Sequence, residues 1–141
     1  MSNRLGTPQS VIVAAAALGV TAGRAMSLGG AANQWVLVAS MLFTYVASAT
    51  AGSRVPVVQI KDPSGNILWS ASMSTTAAAN TTTRIALGGS VPLTAAATPA
   101  TLFAPIPDGF SCPANSTVTV FDNADIDHAA DTIAMNAVVS Y

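Results

Sequence analysis

Charge is what this sequence has least of. Its 141 residues include five Lys or Arg, six Asp, no Glu and one His. Charged residues make up 8% of the chain, against about one-quarter in an average soluble domain. A monomer in water usually stays dispersed through interspersed charge and a net charge away from zero. Here the formal net charge is −1 on a chain that is 51% hydrophobic, with mean hydropathy +0.53. The expectation is a surface of Ala, Ser, Thr and Asn, much of it covered by neighbours in an assembly. The cations Arg4, Arg24, Arg54, Lys61 and Arg84 are widely spaced. They form no basic patch of the kind that neutralises phosphates, so nucleic acid is not an expected partner.

Other scarcities narrow the reading further. The single cysteine, Cys112, has no intramolecular disulfide partner and reads as a small buried hydrophobe. Aromatics are 6% of the chain, so a core needs most of Trp35, Trp69, Phe43, Phe103, Phe110 and Tyr141. The alternative use of those rings is a sugar-stacking platform. No phosphate-binding loop, dinucleotide fingerprint or Cys/His metal spacing is present, and no Gly-x-Ser-x-Gly elbow positions a serine nucleophile. One His among many Ser makes any triad match a matter of chance. The chain therefore reads as a non-enzyme without a cofactor.

Two segments imitate membrane signals. Arg4 followed by the apolar run Val11–Ala22 resembles a secretory leader with a thin basic region. A secreted, pilin-like protein would lose residues 1–24. Trp35–Ala51 is uncharged but short for a span of about 20 residues. Its β-formers, among them Val36, Val38, Phe43, Tyr45 and Val46, favour a strand buried on both faces.

What is present is β-pattern punctuated by turns. Residues 1–34, broken by Gly6, Pro8, Gly19, Gly23, Gly29 and Gly30, read as an extended arm with a possible strand at Val11–Val13. Arg54–Lys61 and Ile67–Ser72 read as a hairpin around Asp62-Pro63-Ser64-Gly65-Asn66, where Pro63 presets φ and Gly65 and Asn66 accept φ > 0. Pro56 belongs at a strand start or an edge, because it has no N–H to donate. Further strands are expected at Thr81–Leu87, at Thr101–Ile106 as an edge, at Thr117–Phe121 and at Ile133–Tyr141. Val91–Thr98 is weakly patterned, and Cys112–Asn115 reads as a loop. The fold class is all-β: an antiparallel β-sandwich of seven or eight strands, with residues 1–34 as an arm and 35–141 as the domain.

The acids are the one cluster with metal-binding potential. Asp122, Asp125, Asp127 and Asp131, with His128 among them, place four of the six acids in ten residues. Hard cations take several oxygen ligands from such loops, but the spacing is not that of an EF-hand. The plainer expectation is no metal and a solvated turn, since Asp favours loops by bonding its own backbone.

The stretch Val58-Gln-Ile-Lys-Asp-Pro-Ser-Gly-Asn-Ile-Leu68 resembles a hairpin of small structural proteins of tailed double-stranded-DNA bacteriophages. So does Pro105-Ile-Pro-Asp-Gly-Phe110, followed by a strand, an Asp-rich loop and a final strand. The likeness spans residues 35–141. It implies a jelly-roll-like sandwich used as a capsid cement or decoration protein on the virion surface, assembled in the host cytoplasm. Its implied partner is the major capsid protein. The residues add self-association, an arm that staples subunits and, from the uneven charge, an acidic loop that faces solvent. It implies no catalytic residues and no membrane. A neck, tail or fibre component, or a carbohydrate-binding module, are the alternatives.

Overall fold

A computed structural model describes residues 9–17, 23–72, 77–88, 101–124, 126–127 and 129–141, with side chains placed outside 9–17 and 101–105. Ten strands are seen among them: β1 (Gln9–Ala17), β2 (Arg24–Ser27), β3 (Trp35–Val46), β4 (Pro56–Lys61), β5 (Ile67–Ser72), β6 (Thr82–Gly88), β7 (Thr101–Pro105), β8 (Ser111–Pro113), β9 (Thr117–Asp122) and β10 (Thr132–Ser140). One sheet runs β1-β10-β3-β6-β7, with β8 also pairing β3; the other runs β2-β9-β4-β5. The protein is an all-β sandwich. Among the described residues no helix is long and apolar enough to cross a membrane.

Each sheet presents one apolar face to the common core. Val36, Val38, Met41, Phe43 and Tyr45 of β3 join Ile133, Met135, Ala137 and Val139 of β10 and Ile85 and Leu87 of β6. Met26, Val58, Ile60, Val118 and Val120 come from the other sheet. Period-two alternation produces this directly in β10, where Ile133, Met135, Ala137 and Val139 are buried and the residues between them are half-exposed.

β3 is central in its sheet but buried on one face only, not on both as its apolar run suggests. Its alternation also changes phase. Val138 of β10 pairs with Ser40, whereas the next residue, Val139, pairs with Val38, so Ala39 is an extra residue in β3. A bulge of this kind moves every later side chain to the opposite face. Val36 and Val38 lie before it and Met41, Phe43 and Tyr45 after it, all buried, while Ala39 and Ser40 are both exposed. Without the bulge, half of β3 would turn its core residues outward.

Several expectations change here. The segment expected to be an arm supplies two strands: β1 pairs with β10 from Gln9↔Val139 to Ala17↔Thr132, and Arg24–Ser27 pairs with β9. The division at residue 34 therefore does not separate an arm from a sandwich. Gly23 (φ 69°) leads into β2, where an added Cβ would run into the carbonyl oxygen of Val120, a close approach only glycine permits. Cys112 and Pro113, read as part of a loop, belong with Ser111 to β8, which pairs with the start of β3; three residues are too few to show a period. Pro56 occupies the first position of β4, one of the two places expected for it, and β4 itself lies between β9 and β5. The sheets are antiparallel except for β6 and β7, which run parallel. Twelve residues separate Gly88 from Thr101, enough for the crossover a parallel pair needs. The expectation at Val91–Thr98 lies outside the described residues.

The hairpin is as read, with β5 spanning Ile67–Ser72 and pairing β4. Its turn is held by Asp62, whose carboxylate accepts the Ser64 and Asn66 amides and the Asn66 side-chain amide at 2.8–2.9 Å.

Candidate functional site

The polar centre of the molecule is an ion pair at the end of the core. Arg54, just before β4, and Asp131, just before β10, are both fully buried, with Nε 3.0 Å from Oδ2. Every guanidinium hydrogen has a partner. Nε donates to Asp131 Oδ2, and Nη2 donates to Asp131 Oδ1 (3.2 Å) and Ser48 Oγ (3.0 Å). Nη1 donates to the carbonyls of Thr50 (2.8 Å) and Gly52 (3.1 Å). Arg has five N–H donors, and all five are used.

Asp131 is equally saturated. Oδ1 accepts the Ser48 amide (2.7 Å) and Arg54 Nη2, while Oδ2 accepts the Tyr45 hydroxyl (2.6 Å) and Arg54 Nε. A carboxylate offers about four lone-pair sites, so none remains. Burial opposes ionisation of Asp131, but the bonds from Arg54, the Ser48 amide and Tyr45 outweigh it and hold the carboxyl below its ordinary range. Burial, reinforced by the bond to Asp131, pushes the Tyr45 hydroxyl far above the usual phenol range. The pair thus ties the β3–β4 connection to the β9–β10 connection. Ala77 joins them through a reciprocal backbone pair with Arg54, both bonds at 2.9 Å.

The other described acids of the loop serve the same purpose. Asp122, 8% exposed, accepts the Val55 and Ala124 amides on Oδ1 and the Ile126 amide on Oδ2, at 2.7–2.9 Å. Asp127 accepts the hydroxyls of Ser48 (2.6 Å) and Thr50 on Oδ2, and those two bonds lower its pKa. Two acids of the loop therefore do not face solvent: Asp131 and Asp122 are buried, because each caps amides or pairs with Arg54, while Asp127 is half-exposed. Among the described residues no three His, Cys, Asp or Glu converge as a metal site. Asp125 and His128 lie outside the described residues. Arg54 and Asp131, so fully partnered, order the loops around them and have no hydrogen or lone pair left for a ligand.

Sequence reasoning named the acids but missed Arg54 as their partner. The signal was there: Arg54 is the only charge between Arg24 and Lys61, and it stands against an apolar strand whose neighbours supply no competing cation.

With that pair turned inward, large apolar side chains remain outside. Trp35 is 64% exposed, Ile67 55%, Leu42 45%, Leu68 41% and Val46 40%. Leu42 and Val46 lie on the outer face of β3. Cross-strand neighbours there are Ala86 and Thr82 on β6 and Asn136 and Thr132 on β10; Arg84, opposite Thr44, is the one charge on this stretch of the face. Cys112 is buried, and burial raises its pKa, leaving it a core thiol rather than a reactive one. Of the rings expected to fill the core, Phe43 does so fully and Trp69, Phe110 and Tyr141 in part, Trp35 does not, and the Phe103 side chain lies outside those described; Tyr45, which is not among them, is also fully buried.

Comparison with protein families, with curated proteins and with solved structures found no match.

Proposed function

We propose that this chain is a structural subunit of a virus particle, a jelly-roll-like cement or decoration protein that bridges major capsid subunits and associates with its own copies. The observation that carries the reading is the inverted use of polarity. A chain with eleven charged residues buries Arg54 and Asp131 against one another and leaves large apolar side chains on both sheets in water. Interface cores are depleted in charge and enriched in aromatic and apolar groups, and exposed apolar patches on folded domains mark interaction surfaces. The resemblance of Val58–Leu68 and Pro105–Phe110 to tailed-phage structural proteins supplies the kind of particle. The contacts fall to the sandwich faces, since Gln9–Ala17 and Arg24–Ser27 of the N-terminal segment form β1 and β2. Copy number in purified particles tests the reading. Cement is expected in hundreds of copies; tens or fewer would assign the chain to the neck, tail or fibre, and absence would overturn the reading.

Trp35 favours a second reading. An indole 64% exposed offers a stacking face of the kind carbohydrate-binding sandwiches use. That reading requires measurable glycan affinity that Trp35→Ala abolishes.

A further inference from the structure

Sheet edges are where a β-protein is open to its neighbours, because each leaves a row of backbone N–H and C=O groups unpaired. Among the described residues the sheets end in β1, β7, β2 and β5, with the three-residue β8 off the path, and these edges are unequal. β2 has four residues and begins with Arg24, and β7 ends in Pro105; a short length, a charge and a proline are ordinary ways of blunting an edge. β1 is longer, but a register shift between Val13 and Ala16 interrupts it. β5 has none of these protections over Trp69–Ser72. It carries no charge and no proline, and among the described residues it pairs only with β4. Its one irregularity is at its start, where the register skips Leu68 between Trp69 and Ile67.

We propose that β5 pairs with β5 of a second copy, antiparallel about a two-fold axis through Ser70, so that two four-stranded sheets become one of eight strands. The proposal rests on the assembly reading in that it names which surface joins copies of the chain. Three observations select a second copy as the occupant. First, the strand is self-complementary. Trp69 and Ala71 pair with Ile60 and Val58, both fully buried, and so face the core side; Ser70 and Ser72 pair with Gln59 and Val57 and are exposed. Pairing about Ser70 sets Trp69 opposite Ala71 of the other copy and Leu68 opposite Ser72, so each residue meets one from its own face, as an antiparallel ladder requires. Second, a two-fold axis brings every charge on a strand near its own copy, and β5 has none, so self-pairing meets no like-charge repulsion. Third, Trp69 and Ala71 pack on the core yet stay half-exposed, and Leu68 beside them is 41% exposed. A neighbouring strand would finish covering all three. The Asp62-braced turn holds the strand ready, which lowers the ordering cost of association.

A disulfide tests the geometry. Residues on the axis would have Cα atoms about 4.5–5.5 Å apart, within disulfide range. Full-length Ser70→Cys, oxidised mildly, is expected to double its mass from 14.1 kDa on a non-reducing gel. Ala25→Cys, exposed on the opposite edge strand β2, and the unaltered chain, whose Cys112 is buried, are expected to stay monomeric. Equal crosslinking at both positions, or none at Ser70, would overturn the proposal. Ser70→Lys sets two ammonium groups face to face; it is expected to weaken self-association at least tenfold by sedimentation while the far-ultraviolet spectrum is unchanged. An unchanged association constant would also overturn it. If the chain is abundant in particles but Ser70→Cys never crosslinks, the β5 pairing fails and the assembly reading stands.

Discussion

The Arg54–Asp131 cluster and the β5 edge treat polar groups in opposite ways. In the cluster, five guanidinium hydrogens and four carboxylate lone pairs are all matched inside the protein, away from water. At β5, the outward backbone groups have no partner among the described residues, and the large apolar side chains Ile67 and Leu68 are exposed beside Ser70 and Ser72. An ordinary soluble domain does the reverse, with charge outside and saturated apolar packing inside. Here charge fixes the internal register of two loops, and the proposed association would fall to main chain and apolar surface.

The comparison breaks most severely at Asp131. Asp131→Ala leaves Arg54 buried without its counter-charge and orphans the Tyr45 hydroxyl and the Ser48 amide. Breaking a buried pair from one side costs about 3–5 kcal/mol, so urea unfolding should show a loss of that size. The double change Arg54→Met with Asp131→Leu removes both charges together. It should cost less than the sum of the two single changes, a coupling that a double-mutant cycle reads out. A smaller loss is expected from Asp122→Ala, which strips the acceptor from three backbone amides, about 1–3 kcal/mol.

Acid probes the same cluster. Asp131 has a folded pKa below its unfolded value of about 3.9. Its stabilisation is therefore complete above that unfolded value and is lost as pH falls through the folded one. Asp127 and Asp62 are shifted in the same direction. Unfolding free energy should be level from neutral pH to about pH 4 and decline below it, with a shallower decline in Asp131→Asn. A decline of equal slope in that variant would remove the pair from the account.

The smallest stability effects belong to the outer surface, and they sharpen the comparison from the other side. Leu42→Ser and Val46→Ser should change unfolding free energy by no more than about 0.5 kcal/mol, yet they should reduce incorporation into particles. Equal loss of folding and incorporation would make β3's outer face a matter of stability alone.

The division between what could be read and what could not follows from range. The hairpin was legible because Asp62, Pro63, Gly65 and Asn66 act within five residues. The strands β9 and β10 were legible from alternation, each within one or two residues of its observed ends. The bulge at Ala39 was hidden because apolar residues lie on both sides of it, so a change of phase leaves no mark in the pattern. β2 and β8 were too short to show a period. The acids were visible as a cluster, but their burial depends on Arg54, 77 residues away in sequence, and no local pattern reports a contact of that range.

The central claim is that the neutral outer faces and the β5 edge are covered in the native assembly while the charged cluster serves only the interior. Thiol labelling at Leu42→Cys and Ser70→Cys, compared between the isolated chain and the chain in purified particles, tests this most directly. Both positions are expected to label readily in the isolated chain and to be protected at least tenfold in the particle. Equal labelling in the two states would contradict the account.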